Sequence, residues 1–265
     1  MGASGYDAFY RDFDSPLMRR IRAEAYGEDI GQHSWVTADE LRSDLERLSL
    51  DASSRFIDLG CGPAGPLTYA LAAIGCHGTG VDASATALGA GRTRAEALGV
   101  AGLITLTAAD LDAPLPFEPR SFDAAVALDV VLHLRERARF YREVARILRP
   151  GGRLLITDAG VVTGAVSAEE LERRSPYMHT TFVPPGLNES LLGDAGFTLL
   201  ETEDRTPSAR RNAAGRLRAM RAHRRELETA SGPTAVAVQE NYLSVIVELS
   251  DRRALARVMY LATRR

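Results

Sequence analysis

Arg55-Phe-Ile-Asp-Leu-Gly-Cys-Gly-Pro-Ala-Gly-Pro66 is the stretch that decides the fold of this chain. Phe56, Ile57 and Leu59 form a short apolar run, as a strand buried on both faces of a parallel sheet requires. Gly60, Gly62 and Gly65 then make a turn without side chains, and Leu67 to Ile74 reads as the helix that follows. Strand, glycine turn and helix is the arrangement by which an open α/β sheet lets a cofactor approach the backbone.

The glycine spacing matches G-x-G-x-x-G, the dinucleotide fingerprint, so two kinds of cofactor compete for the turn. Three neighbours argue against a pyrophosphate. Asp58 puts a carboxylate at the strand end, where it repels phosphates and suits a cationic ligand. Pro63 and Pro66 each remove a backbone N–H that a helix start would offer an anion. Asp82 ends the next apolar run and is placed to bind ribose hydroxyls. The favoured cofactor is cationic at one end and carries a ribose at the other.

These residues resemble the class I S-adenosylmethionine-dependent methyltransferases of small-molecule type. Asp58-Leu-Gly-Cys-Gly62 matches the family's first motif, Asp82 its ribose acid, and Asp110, in Ala-Ala-Asp110-Leu, the residue that meets the adenine. Leu128-Asp-Val-Val-Leu-His133 and the turn Leu148-Arg-Pro-Gly-Gly-Arg-Leu154 also fit. The resemblance is specific from Arg55 to Asp158 and weaker to Thr206. It implies a doubly wound, Rossmann-like α/β fold whose seven-stranded sheet is mostly parallel, under a helical cap. It also implies S-adenosyl-L-methionine held by Asp58, Gly60, Cys61, Gly62, Asp82, Ala83, Asp110, Leu111, Leu128 and His133, with Trp35 closing over it. A nicotinamide-binding sheet is the competing reading that Asp58 and Pro63 disfavour.

Composition narrows the chemistry. All 32 basic residues are arginine. The lack of lysine excludes a Walker lysine, a Schiff-base enzyme and pyridoxal phosphate chemistry. Cys61 and Cys76 give neither a disulfide framework nor a zinc spacing. No signal-peptide pattern or apolar span is visible, so a reduced cytoplasm is the expected compartment, with no membrane partner. The formal charge is −3, which disfavours nucleic acid. That charge is divided unevenly, −11 over residues 1–204 and +8 over residues 205–265. The arginines between 205 and 225 read either as a solvated face that pairs with the acidic remainder, or as an attractor for an anionic or carrier-bound acceptor or a second protomer.

The chain divides into an N-terminal helical lid (1–50), a cofactor-binding core (51–158) and a C-terminal part (159–265) with the cap insertions and the last two strands. Ser15-Pro16 and Thr37-Ala-Asp-Glu40 are helix starts. Strands are expected near residues 103–107, 122–128, 153–158, 196–201 and 256–262, and an Arg-rich helix over 208–229. Leu243-Ser-Val-Ile-Val247 suits either a helix or a strand. Residues 159–185 show no clean period.

Methyl transfer from a sulfonium is a direct displacement, for which alignment and exclusion of water supply much of the rate. His133, after the fourth strand, is the candidate general base, or else only orients the cofactor. His33, Tyr177, His179 and Asp129 are candidate acceptor contacts. Trp35 is either part of a closing lid or an anchor for its own segment. No metal is expected: Asp129 and Asp158 end adjacent strands, but Ala159 stands where metal-dependent relatives carry an Asn. Two other functions stay open: a cyclase or rearrangement catalyst on the same fold, and a binding protein without chemistry. Release of S-adenosylhomocysteine separates them from a methyltransferase.

Overall fold

The computed structural model describes residue 10 and residues 12–265; the first residues of the expected lid, 1–9 and 11, lie outside the described set. Two helices, α1 (Pro16–Tyr26) and α2 (Ala38–Leu48), precede the sheet. β1 (Arg55–Leu59), α3 (Gly65–Ile74), β2 (His77–Asp82), α4 (Ala85–Ala97), β3 (Ile104–Ala108) and β4 (Phe122–Leu128) then alternate. A 3-10 turn at Val131–His133 leads into α5 (Arg137–Ile147) and β5 (Leu148–Val162). The C-terminal part adds α6 (Ala168–Arg174), α7 (Leu187–Asp194), β6 (Phe197–Asp204), α8 (Thr206–Ala222), α9 (Arg224–Ser231), α10 (Pro233–Asp251) and β7 (Leu255–Arg264).

The seven strands form one sheet in the order β3-β2-β1-β4-β5-β7-β6. Neighbours from β3 to β5 are parallel, and β7 runs antiparallel to both β5 and β6. The doubly wound, mostly parallel sheet expected from the sequence is therefore present. Strand order reverses between β1 and β4, and ligands in such sheets bind beyond the carboxyl ends at that point. Because β6 runs parallel to β5, the insertion from α8 to α10 leaves the sheet at this same edge.

Both faces of the sheet are covered. Phe56, Val126 and Leu155 pack on one side with Leu67 and Leu71 of α3. Ile57, Ala125 and Ile156 pack on the other with Phe140, Tyr141 and Val144 of α5. A third cluster joins Ile21 of α1, Trp35, Ala213 of α8 and Leu243 of α10 into the cap.

The helix starts follow local chemistry. Ser15 Oγ accepts the Met18 N–H, Thr37 Oγ1 the Glu40 N–H and Ser84 Oγ the Ala87 N–H. Glu40 does not complete a capping box at Thr37, because its carboxylate is drawn to Arg257. Ser167 and Glu170 do form such a box, and it starts α6 inside the stretch that showed no period. The expected single helix over 208–229 is broken at His223, whose imidazole is tied to Glu24 of α1 and Glu226. The ambiguous run at Leu243 is helical, because Val236, Leu243, Ile246 and Leu249 recur on the buried side of α10.

Candidate active site

The glycine turn is stitched to β2 before any ligand is considered. The N–H groups of Gly60 and Cys61 both donate to Val81 O, at 2.7 and 3.0 Å. The N–H of Gly62 donates to Asp82 Oδ2 at 2.8 Å, and that of Ser84 to Asp82 Oδ1 at 2.9 Å. Three amides that a phosphate-binding loop would offer an anion are thus already in use, and one holds a carboxylate in place. Gly60 has φ +82°, and a Cβ there would lie 2.5 Å from the Val130 side chain. At Gly65 a Cβ would meet the Gly31 carbonyl oxygen at 2.2 Å, so the loop before α2 packs backbone to backbone on the start of α3. Tyr10 lies over Gly62, its hydroxyl 3.1 Å from where a Cβ would be.

Electrostatics beneath the turn favour a cation. Asp58 is buried, and desolvation, reinforced by the charge of Asp82, pushes its carboxyl up to about 7. Asp110 is exposed and closes an Asx turn onto the Asp112 N–H. Asp112 in turn accepts the Arg135 and Glu136 N–H groups ahead of α5, linking this loop to the turn that carries His133.

His133 ends the 3-10 turn, and its Nδ1 lies 2.9 Å from the His179 carbonyl oxygen. A carbonyl only accepts, so Nδ1 carries the proton and the neutral ring has its lone pair on Nε2. Burial lowers His133 to about 4; the bond to His179 works the other way, and the charge of Arg174 adds to the lowering. His33 is edge-on to Tyr10 and Phe13, at 5.4 and 5.9 Å. Burial lowers it to about 3, with further lowering from Arg216 and His133. Both imidazoles are therefore neutral at neutral pH. Under α8 and α10, Trp35 and Tyr242 lie 6.3 Å apart, and Tyr177 meets Tyr242 edge-on at 5.8 Å. His179 is exposed and bonds to Thr181 Oγ1 at 2.9 Å.

Residues 57–156 match a family model described as a methyltransferase domain. The chain is 31% identical over 171 residues to O-methyltransferase rstn1 of Aspergillus nomiae, covering 64% of this chain and 76% of that protein. The chain belongs to the class I S-adenosylmethionine-dependent methyltransferases. Its methyl donor is S-adenosylmethionine. The methyltransferase is also 30% identical to the 27-O-demethylrifamycin SV methyltransferase of Amycolatopsis mediterranei over 174 residues, 62% of this chain and 60% of that one. A solved structure with the same fold, the [4+2]-cyclase SpnF, covers 100% of this chain and is itself 97% covered, with TM-score 0.76 and 23% identity. The chain spans less than half the length of two further curated relatives that it matches.

The methyltransferase residues fit this donor. The turn gives room at Gly60 and Gly62, Asp82 presents an oriented carboxylate, and Asp58, raised to about 7, would ionise fully beside a cation. Cys61 is buried, with its thiol well above the ordinary range through desolvation, so its contribution here is backbone and shape. Leu111 and Leu128 are core residues beside the site, and Ala83 is exposed at the end of β2.

Asp58, Asp82, Asp110, Asp129 and Asp158 stand at or just past the ends of the five parallel strands, and two of them are already paired. Asp129 has φ +58° and both its oxygens are taken: Oδ2 by the Trp35 N–H at 2.8 Å, Oδ1 by Thr157 Oγ1 at 2.9 Å and Arg257 Nε at 2.8 Å. Burial would raise its carboxyl, but Arg257 outweighs this and holds it below the ordinary value. Asp158 is fully buried and bound by Arg137 and Asn188. Two of the five carboxylates are therefore neutralised by arginines from β7 and α5, whereas Asp58 and Asp110 have no arginine within salt-bridge distance among the described residues. Trp35 is fixed at both backbone groups, since Asn212 Nδ2 donates to its carbonyl at 2.7 Å. Its ring faces the cap aromatics. Sequence reasoning missed Arg137, Arg257, Arg174 and Tyr242, and did not single out Arg216 within the Arg-rich 205–225 segment. Arg257 had a signal: the alternation of Leu255, Arg257 and Met259 puts it on a buried face of β7.

Proposed function

We propose that this methyltransferase methylates a hydroxyl oxygen of a small-molecule acceptor, in secondary metabolism, with His133 as the group that receives the hydroxyl proton. The observation that carries this is the His133 tautomer: Nδ1–H is spent on the His179 carbonyl, and the neutral ring keeps its lone pair on Nε2. The O-methyltransferase relatives support the choice of oxygen. S-adenosylmethionine, when bound, supplies an electrophilic methyl group on a sulfonium. Gly60, Gly62 and Asp82 hold its ribose end at the turn, and Asp58, raised to about 7 by burial, ionises fully when the cationic side of the donor lies against it. Residues 12–50 and the helices α8 to α10 form the lid and cap that keep water from the reacting atoms. His179 orients His133 through its carbonyl.

A labelled-methyl assay over hydroxylated metabolites from the source organism tests the reading: a methoxyl product should form with one S-adenosylhomocysteine per turnover. His133→Asn keeps a donor and the ring's approximate shape while removing basicity, and should lower the turnover number by ~10²-fold with cofactor affinity unchanged. Near-normal turnover at saturating acceptor would leave His133 as an orienting residue. Product formation only at nitrogen or carbon would reject the hydroxyl assignment.

A further inference from the structure

Five arginines of the described residues are buried: Arg22, Arg137, Arg174, Arg205 and Arg257. Four have a carboxylate within salt-bridge distance, namely Asp29, Asp158, Asp44 and Asp129 respectively. Arg174 is the exception. At 4% exposure it has only neutral partners among the described residues, the Tyr242 hydroxyl at 3.2 Å and the Ala159 carbonyl at 3.3 Å. Its Nε is buried without a hydrogen-bond partner. A guanidinium taken out of water without a counter-charge is costly, so a fold that keeps one there leaves a place for an anion from outside.

A second cation lies on the same aromatic wall. The Arg216 guanidinium stacks over Trp35 at 5.4 Å, as that of Arg174 stacks over Tyr242 at 5.2 Å. No described carboxylate is within salt-bridge distance of Arg216. The other arginines of this segment differ: Arg205, Arg210 and Arg224 are paired with acids, and Arg211, Arg218, Arg221 and Arg225 are exposed to solvent. The charge of Arg174 acts on His133 and that of Arg216 on His33. Trp35, Tyr242 and Tyr177 supply an aromatic wall, the first two rings tilted by 30° and Tyr177 edge-on to Tyr242.

We propose that the hydroxyl-bearing acceptor also carries a carboxylate on an apolar body, its anionic group bound by Arg174 and Arg216 and its body laid against Trp35, Tyr242 and Tyr177. This rests on the methyltransferase reading and adds the substrate class. It gives the inner arginines a role separate from the pairing and solvated arginines around them. The arrangement also fixes polarity: the cationic donor faces the acids of β1 and β2, and the anionic acceptor faces the arginines of the cap.

The test uses the protein loaded with S-adenosylhomocysteine, with benzoate as probe and benzamide as its neutral isostere. Trp35, the only tryptophan, reports binding because Arg216 lies on its ring. Benzoate should shift the emission and bind at least ~10-fold more tightly than benzamide, since the charge-assisted bonds are lost with the amide. Arg216→Gln should raise the benzoate Kd ~10-fold and leave benzamide unchanged, whereas Arg218→Gln on the exposed side should change neither. Arg174→Gln should behave like Arg216→Gln if it folds; the native comparison of the two probes stands without it. Equal binding of benzoate and benzamide, failure of benzoate to bind, or indifference to Arg216→Gln would each overturn the proposal while leaving cofactor binding intact. Failure of S-adenosylhomocysteine itself to bind in calorimetry would instead remove the reading beneath it.

Discussion

Replacing Arg257 by Met should destabilise this protein more than any surface arginine change, and the structure sets the size. Arg257 is 1% exposed; it gives Nε to Asp129 at 2.8 Å, Nη1 to Glu40 at 3.0 Å and Nη2 to Thr157 at 3.4 Å. Methionine follows a similar path and volume, so little cavity forms. What is lost is charge compensation. Glu40 keeps Arg205 at 3.7 Å, but Asp129 has no second cation within salt-bridge distance and is left with the Trp35 N–H and the Thr157 hydroxyl. Stranding one buried carboxylate costs about 3–5 kcal/mol. For a chain of this size that is a fall in Tm of at least about 6 °C. The pH dependence changes sign. In the native protein the Asp129 carboxyl is held low, so its stabilisation is present at neutral pH and is lost as the pH falls through that lowered value. Without Arg257, burial dominates and raises it, so the destabilisation is largest at neutral pH and is relieved on acidification. Asp129→Asn should recover at least half the loss in the double variant, because Asn tolerates the left-handed backbone at this position. Thermal unfolding followed by circular dichroism and Trp35 emission gives these values. A shift below about 2 °C, or a double variant no more stable than Arg257→Met, would refute the idea that this ion pair locks the Trp35 loop to the sheet.

Two further outcomes follow from the same geometry. Gly60→Ala should weaken S-adenosylhomocysteine binding by at least ~10-fold in calorimetry, because the new methyl meets Val130 at 2.5 Å on a φ of +82°; unchanged affinity would show that the turn absorbs it. His33 and His133, at about 3 and about 4, sit below the ordinary histidine value of ~6.5. The unfolded chain then binds more protons near pH 6, and stability should rise with pH from about 5.5 to 6.5, opposed by Asp58 at about 7, whose neutral form is favoured in the fold. His133→Asn should lower that slope by about 1 kcal/mol per pH unit in urea titrations; an unaltered slope would mean that the imidazole is not held neutral.

The sheet was legible because its code is local and redundant. Phe56-Ile57, the glycines and Asp82 each point to a strand, a turn or a strand end, and β4 falls where its apolar run does. The Ser167-x-x-Glu170 start of α6 was equally readable but sat in a segment without a period around it. The cap was harder. Whether Leu243–Val247 becomes helix or strand is decided by α8 packing on it, and the break at His223 by a partner, Glu24, that is 199 residues away. The least legible features were the buried ion pairs. The strand ends announce Asp129 and Asp158, but nothing near them announces Arg257 or Arg137, since such pairing depends on strand order. Arg174 and Arg216 were hidden differently. In sequence they are two among 32 arginines; the burial of Arg174 and the lack of a described acidic partner at both set them apart.

The most direct test of the account is calorimetry of S-adenosylhomocysteine and NADH with the native protein and with Asp82→Ala. Asp82 is held by the Gly62 and Ser84 amides, and it is the residue proposed to bind the ribose. S-adenosylhomocysteine should bind and NADH should not, and the substitution should weaken binding by ~1.5–3 kcal/mol, ~10- to 100-fold, with Tm little changed. NADH binding without S-adenosylhomocysteine binding, or an Asp82→Ala variant with the native affinity, would contradict it.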